Sequence, residues 1–129
     1  MPKIILASGP VIIENNKVLL VKHGDDFWKF CGGKAKNFDN ESLKEIAIRE
    51  AKEEAGLDIK IKDNKPFFFF TKKEIVENAI DVVLVHFLAK SKGKMKPGKD
   101  IEACEWFDIN NLPPDIAPNI KPAVEYFTK

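Results

Sequence analysis

The chain has 129 residues, of which 44% are hydrophobic and 32% charged, and this composition predicts one globular domain covering all of them. Its 21 basic and 20 acidic residues give a net charge of +1, which excludes the basic excess of a duplex-binding protein, so no nucleic-acid partner is expected. No apolar run approaches the roughly 18 residues that a membrane span needs, and Ser8-Gly9-Pro10 interrupts the first run too early for a signal peptide. Because Cys31 and Cys104 are also isolated, we expect a cytoplasmic protein with reduced thiols and no membrane partner.

Short apolar runs separated by turn residues recur along the chain and predict β-strands. The runs that flank Asn15 and Asn16 predict a hairpin, and their nearly continuous apolar character predicts a sheet covered on both faces. A second helix is predicted over residues 117–127, with Pro118 and Pro122 near its start. Strands are predicted at residues 3–7, 11–13, 18–21, 27–30, 57–61, 67–70, 79–88 and 103–107.

The central helix is marked at both ends by its own sequence. Ser42 and Glu45 form a capping box, and Gly56 stands where a left-handed residue ends a helix, so a helix is predicted from Ser42 to about Ala55. Strands combined with one central and one terminal helix predict an α/β fold in which a sheet packs between helices.

Three carboxylates of this helix share one face. Glu50, Glu53 and Glu54 stand at i, i+3 and i+4, where each like-charged pair costs about 0.2–0.5 kcal/mol in an isolated helix. One interpretation is a solvated face, in which Arg49 pairs with Glu53 and Lys52 dilutes the charge. The other is a binding site for a hard divalent cation, which prefers a few carboxylates together with waters and substrate phosphates.

Residues 49–57 resemble the distal half of the Nudix box of the Nudix hydrolases, which reads Arg-Glu-U-x-Glu-Glu-x-Gly-U with U a bulky aliphatic residue. Glu41 is separated from Arg49 by seven residues, as the box requires, and Gly33-Lys34 matches the Gly-Gly-Lys that precedes it. The sequence departs from the box in one spacing, because seven residues rather than five separate Gly33 from Glu41. An insertion of two residues in a surface loop has a small entropic cost, so we expect the helix and its activity to be retained.

The resemblance implies a Nudix fold, an α/β/α sandwich with a mixed central β-sheet, and a hydrolase that uses Mg²⁺, or alternatively Mn²⁺. By resemblance, Glu50, Glu53 and Glu54 bind the metal, and the Gly32 carbonyl oxygen is a further ligand. Arg49 is expected to hold Glu53 by a charge-assisted hydrogen bond.

Three further acids are considered, of which Asp100 and Glu102 join Arg49 and Glu53 in the expected catalytic set. Glu41 either anchors the loop to the helix, as in the family, or acts only as an acid favourable to the helix dipole. Asp100 and Glu102 follow the predicted long strand, and either one could act as a general base or an extra metal ligand, with Asp100 preferred. The alternative is that both are ordinary surface acids.

The substrate is expected to be a nucleotide-type small molecule. Asn119 resembles the base-recognising asparagine of MutT-like enzymes, although its other interpretation is a helix N-cap. Lys34 and His23 are candidates for phosphate contacts, and Phe70 is a candidate for stacking on a base. His86, within a predicted strand, is interpreted as a hydrogen-bonded sheet residue rather than a ligand.

These features predict a MutT-like nucleoside triphosphate pyrophosphohydrolase. Two alternatives remain at this point: an ADP-ribose or nucleotide-sugar pyrophosphatase, and a non-catalytic Nudix domain that senses a nucleotide. Family members often form dimers, so a homodimer is also left open.

Overall fold

The computed structural model describes residues 4–24, 27–36, 40–75 and 78–129, with the side chains of residues 73–75, 78 and 79 left out. The sheet is built around β1 (Ile4–Glu14) and β7 (Asn78–Lys92), which run parallel from the pair Ile4 and Asp81 to the pair Ile12 and Ala89. Among the described residues, the other ladders between the strands are antiparallel, so the sheet is mixed. The remaining elements are β2 (Lys17–Lys22), β3 (Trp28–Lys29), β4 (Gly33–Lys34), α1 (Leu43–Ala55), β5 (Asp58–Ile61), β6 (Phe67–Ile75), β8 (Ala103–Asp108) and α2 (Ile120–Thr128).

Alternate residues of β1 and β2 face two separate cores. Ile12 and Leu19 pack with the end of α1, whereas Val11, Val18 and Leu20 pack with α2. All five side chains are almost fully buried. The two helices therefore cover opposite faces of the sheet, and the predicted strands with continuous apolar character are indeed covered on both sides.

The turn between β1 and β2 confirms the predicted hairpin. Asn15 and Asn16 have φ values of 53° and 61°, and Glu14 pairs with Lys17 across them. Two consecutive residues with positive φ define a type I′ turn, whose twist matches that of the flanking strands.

Helix α1 also ends where its sequence predicts. The Ser42 hydroxyl accepts from the Glu45 N–H and the Glu45 carboxylate accepts from the Ser42 N–H, which completes the capping box. Gly56 takes φ 71° after the last turn and donates to the Lys52 carbonyl. The helix is thus fixed by local interactions before any contact with the sheet is considered.

Strand β1 is continuous, whereas two separate strands over residues 3–7 and 11–13 were expected. Gly9 and Pro10 keep their partners His86 and Phe87 on β7. A Cβ on Gly9 would overlap the Cys31 carbonyl oxygen, so the glycine allows a second backbone to cross β1 closely instead of ending the strand. Lys3, the first residue of the expected strand, lies outside the described residues.

Helix α2 begins at Ile120 rather than at Ala117. The residues before it form a short strap along β3, in which Trp28 N–H donates to the Asp115 carbonyl and Ala117 N–H donates to the Trp28 carbonyl. These bonds fix extended backbone ahead of the helix, which the proline pattern alone did not reveal. The strap places Asn119, the last residue before α2, beside the sheet.

Both cysteines are free and buried, as the sequence predicted for unpaired thiols. Burial raises the pKa of Cys31 well above its usual range. Burial, and secondarily the charge of Glu54, raises the pKa of Cys104 to about 11. Neither thiol is therefore a thiolate at neutral pH. Within the described ranges, no helix has both the length and the apolar character needed to cross a membrane.

Candidate active site

A cleft of about 730 Å³ opens on the sheet face that also carries α2. Its walls are mainly apolar, from strands β1, β6 and β7 and from the aromatic segment around β3. Its lining includes Glu54 with Gly32 and Gly33, and it also includes His86 and Asn119. A second cavity of about 540 Å³ adjoins it across Gly33 and Lys34, and is lined also by Lys36, Asn40, Glu41, Arg49 and Glu50.

Two of the three helix carboxylates are drawn inward at the junction of these cavities. The side chains of Glu50 and Glu54 are only 12% and 13% exposed, whereas that of Glu53 is 56% exposed. Burial, and next the charge of Glu54, raises the pKa of Glu50 to about 7. Burial likewise raises the pKa of Glu54, against the opposing effects of Gly32 and His23. Two poorly solvated acids that repel each other are costly in the folded protein.

Glu54 is held in place from two sides. Gly32 N–H donates to its Oε1 at 2.9 Å, and His23 Nε2 lies 3.1 Å from its Oε2. The structure therefore brings His23 to Glu54, and it adds a backbone donor that the sequence pattern did not indicate. The other ring nitrogen of His23, Nδ1, is buried without a hydrogen-bond partner among the described residues.

Arg49 links the loop before the helix to two helix acids. Its Nε donates to Glu41 Oε2 at 2.7 Å and its Nη2 donates to Glu41 Oε1 at 3.1 Å, a bidentate pair. Its Nη1 donates to Glu53 Oε2 at 3.2 Å and lies 3.6 Å from Glu50 Oε1. The hydrogen bonds that Arg49 donates to Glu41 are the main cause that lowers the pKa of Glu41. The contact with Glu53 is present as expected, and Glu41 has the anchoring contact rather than a position governed by the helix dipole alone.

Gly33 faces the Glu50 carboxylate directly. A Cβ at Gly33 would lie 2.7–2.9 Å from the three carboxylate atoms, so a larger residue cannot share this space unless Glu50 moves. Oε2 of Glu50 is buried and has no hydrogen-bond partner within the part of the chain that the structure describes. An unsatisfied carboxylate oxygen in a poorly solvated position is costly unless a cation or another donor contacts it.

The donor set at this junction fits a hard divalent cation. Glu50 and Glu54 offer oxygen ligands of the kind that Mg²⁺ prefers, and the repulsion between them would be relieved by a positive charge. Among the described residues, no three acidic, histidine or cysteine side chains are gathered into a preformed cage. A cation held here would therefore take its remaining oxygens from water and from substrate phosphates, as magnesium usually does.

Three predicted residues are not brought to this junction. Asp100 and Glu102 are exposed, and neither lines the cleft or the second cavity. Only the backbone of Glu102 is close, where its N–H donates to the Lys22 carbonyl. Phe70 is 72% exposed and lies on the opposite face of β6, because side chains alternate along a strand and Phe69 is the residue that lines the cleft.

Lys34 lines both cavities from β4, and its contact with phosphates stays a prediction. Of the loop that carries the insertion, residues 37–39 lie outside the described residues. The cleft also contains residues that the sequence did not single out, notably Phe69 and Phe30. A strict period of two over residues 67–70 would have restricted the aromatic candidates to one face, but only the pairing with β7 shows which face.

Asn119 lies in the wall of the cleft. It occupies the N-cap position of α2 but makes no capping hydrogen bond, so the helix-cap interpretation of its side chain is wrong. Its Nδ2 lies 2.8 Å from His86 Nε2, and His86 Nδ1 lies 3.3 Å from the Gly9 carbonyl oxygen. His86 is 4% exposed and fully engaged, which confirms its interpretation as a hydrogen-bonded sheet residue.

Comparisons with known proteins place this site in a family. The NUDIX domain profile matches residues 6–127. The chain belongs to the NUDIX domain family. The sequence prediction of the family is confirmed, and so is the predicted α/β fold, since the NUDIX chain has a mixed sheet with a helix on each face.

Two curated relatives differ in the activity that their names state. An ADP-ribose pyrophosphatase of Methanocaldococcus jannaschii is 32% identical over 110 residues, which cover 84% of this chain and 64% of that protein. An 8-oxo-dGTP diphosphatase of Proteus vulgaris is 34% identical over 62 residues, which cover 44% of this chain and 54% of that protein. The NUDIX chain thus spans less than two thirds of the length of either relative.

Solved structures agree in fold over nearly the whole chain. A MutT NUDIX hydrolase from Burkholderia pseudomallei superposes with a TM-score of 0.78 at 22% identity, covering 98% of this chain and 99% of that one. An ADP-ribose pyrophosphatase from Streptococcus suis gives a TM-score of 0.70 at 24% identity, covering 97% and 92%. At this level of identity the likeness concerns the NUDIX fold alone.

Proposed function

We propose that this NUDIX chain hydrolyses a phosphoanhydride bond of a nucleoside diphosphate derivative with the help of Mg²⁺ or Mn²⁺. The observation that carries the proposal is the pair Glu50 and Glu54, both largely buried, mutually repelling and facing Gly33, with one Glu50 oxygen unsatisfied. A pair that lowers stability when empty is typical of a site whose ligand is a cation. Membership of the NUDIX family supports this interpretation.

The two cavities have the chemistry that the two halves of a nucleotide require. The second cavity carries the basic side chains Lys34, Lys36 and Arg49, which suit phosphate oxygens. The larger cleft offers apolar and aromatic walls and the amide of Asn119, which suit a base. Because the two cavities meet at Gly33 beside the carboxylates, a nucleotide that spans both would place its phosphates at the acids.

Each charged residue at the junction then has a definite task. Glu50 and Glu54 would hold the cation, with the Gly32 carbonyl and Glu53 as the further ligands that the family resemblance suggests. Arg49 keeps Glu53 and the preceding loop in position. A divalent cation held by these residues would neutralise phosphate oxygens and lower the pKa of a bound water. In the reaction, a water oxygen forms a bond to phosphorus, the bridging P–O bond breaks, and the proton leaves to solvent or to a basic group.

Among substrates of this class we favour a nucleoside triphosphate, cleaved to a monophosphate and pyrophosphate. The observation in its favour is that His86 holds the Asn119 side chain in the wall of a mainly apolar cleft, where a base edge can reach its amide. ADP-ribose is the second candidate, because the relative that matches over 84% of this chain is named for that substrate. The two differ in the leaving group, since only the triphosphate yields inorganic pyrophosphate.

A panel of nucleoside triphosphates, ADP-ribose and nucleotide sugars tests the proposal, with phosphate and pyrophosphate measured separately in Mg²⁺ and in Mn²⁺. We expect pyrophosphate from at least one triphosphate and a loss of at least about 100-fold in kcat/KM for Glu54→Gln. The matched control is Glu125→Gln, an exposed acid of α2 away from the cleft, which should retain the wild-type rate. Nucleotide binding without hydrolysis of any member would instead identify a non-catalytic NUDIX domain, and full activity in Glu54→Gln would refute the metal site.

A further inference from the structure

A buried hydrogen-bonded chain, Gly9–His86–Asn119, ends in the cleft. His86 and Asn119 are 4% and 6% exposed, and both line the cleft wall. The three residues come from β1, from β7 and from the start of α2, and are separated by 77 and 33 positions in the sequence. Because these partners are distant in the sequence, the position of the Asn119 amide depends on the packing of the whole sheet and not on a local turn.

The direction of each hydrogen bond in this chain is determined by chemistry. The Gly9 carbonyl oxygen can only accept, so Nδ1 of His86 carries the proton. Burial lowers the pKa of His86 to about 4, so the ring is neutral at physiological pH and Nε2 is a bare acceptor. Asn119 must then donate through Nδ2, at 2.8 Å.

This polarity fixes the Asn119 side chain in one of its two amide orientations. Turning the amide by 180° would place Oδ1 against Nε2, and two acceptors would face each other in a buried position. Phe30 holds the His86 ring from the side, with ring centroids 4.8 Å apart at an interplanar angle of 63°. The ring therefore cannot tilt away easily to accommodate the turned amide.

We propose that His86 is a positioning residue that locks the Asn119 amide, so that the cleft selects a nucleobase edge with a donor facing Oδ1. This inference rests on the proposed function, because it assigns the selectivity of the same cleft. An amide with one Nδ2 hydrogen committed to His86 presents a fixed acceptor and one remaining donor. A base edge that offers only acceptors cannot satisfy Oδ1, and leaving a buried polar group unpaired is the strongest way to reject a close analogue.

Three pairs of nucleotides that exchange a donor for an acceptor at one named position test this selectivity. These are the 6-amino group of dATP against the 6-oxo group of dITP, the 4-amino group of dCTP against the 4-oxo group of dUTP, and the N7–H of 8-oxo-dGTP against the bare N7 of dGTP. The donor-bearing member of each pair is the one with the hydrogen at that position. We expect the wild-type protein to prefer the donor-bearing member of at least one pair by about tenfold or more in kcat/KM. In His86→Leu this ratio should fall to within about threefold, through KM rather than kcat, because the carboxylates are untouched. His86→Gln, whose Oε1 can accept from Asn119, should restore part of the preference.

Two controls separate selectivity from general damage to the fold. Val85→Ala removes packing at the neighbouring position on the opposite face of β7, and it should leave the base preference unchanged. The second control needs no turnover: the side-chain amide protons of Asn119, assigned by their absence in Asn119→Asp, should exchange slowly with solvent. In His86→Leu they should exchange at least about tenfold faster.

The outcomes are distinguishable from a failure of the proposed function. If no nucleotide is hydrolysed but slow exchange of the Asn119 amide protons depends on His86, the hydrolase proposal fails and the positioning role of His86 stands. If nucleotides are hydrolysed and His86→Leu keeps both the base preference and the slow exchange, the positioning role of His86 is refuted. A wild-type protein that prefers no member of any pair also refutes the selectivity assigned to it.

Discussion

The substitution Glu50→Gln provides a direct test of the electrostatic cost at the candidate metal site. Burial and the neighbouring Glu54 raise the pKa of Glu50 from its ordinary 4.5 to about 7. The folded protein therefore binds more protons than the unfolded chain between these two values, and its stability falls as pH rises through that window. Above about pH 7 the charged form is present in both states, and its full cost is borne by the folded protein.

The magnitude follows from the same two values. A difference of about 2.5 between 4.5 and 7 corresponds to roughly 3 kcal/mol. Because the site borders two cavities open to solvent, screening reduces the expected cost to about 1–2 kcal/mol. Glutamine has nearly the same shape and no charge, so Glu50→Gln should be more stable than the wild type at pH 8 by that amount. This corresponds to a rise in Tm of about 4–8 °C for a domain of this size.

The assay is denaturation of the metal-free protein in EDTA at pH 5 and at pH 8, repeated in 5–10 mM Mg²⁺, roughly the range of weak magnesium sites. We expect the gain from Glu50→Gln to shrink at pH 5 and to disappear in Mg²⁺, which should stabilise the wild type far more than the variant. Glu125→Gln, an exposed acid of α2, serves as the control and should change little in any condition. A variant less stable than the wild type at pH 8 without metal would refute the assigned repulsion.

Three further substitutions test separate parts of the site. Gly33→Ala places a methyl group against a helix carboxylate and should lower kcat/KM and apparent Mg²⁺ affinity by at least about tenfold, as measured by metal titration of the rate; an unchanged titration would contradict the close approach. Phe69→Ala removes part of the cleft wall and should raise KM about tenfold, whereas Phe70→Ala, on the other face of β6, should leave KM unchanged. Equal effects of the two substitutions in steady-state kinetics would show that the cleft-facing side of β6 is misassigned. Arg49→Lys keeps the charge but loses the bidentate bond to Glu41, so kcat should fall about tenfold. Circular dichroism should show an unchanged fold, and full activity would contradict the anchoring role of Arg49.

The parts of the molecule that the sequence predicts well are those whose causes are local. The limits of α1 follow from Ser42, Glu45 and Gly56, which all act within one or two turns of the helix ends. The hairpin follows from Asn15 and Asn16 in the same way. The interpretation of the acidic helix face as a metal site rests on its spacing and on the preceding glycines, and it stays a prediction.

The parts that the sequence predicts poorly depend on partners distant along the chain. Whether Phe69 or Phe70 faces the cleft is decided by its register with β7, and a shift of one residue would reverse the answer. The side chain of Asn119 binds His86 instead of capping α2, and no rule confined to the helix start contains that partner. Asp100 was preferred because of its place before a strand, but the turn that carries it leaves the side chain exposed.

The strap that joins β3 to the start of α2 has a consequence for how this protein can diversify. The carboxylates lie on a helix whose ends are determined by its own sequence. The part of the cleft wall that contains Asn119 instead follows the strap, which is held by the hydrogen bonds of Trp28 with Asp115 and Ala117. Changes near the C-terminal helix can therefore alter which molecule fits without disturbing the groups proposed to cut it. In the proposed function, bond cleavage and the choice of substrate are therefore assigned to separate segments of the chain, so that a change in one segment leaves the other intact.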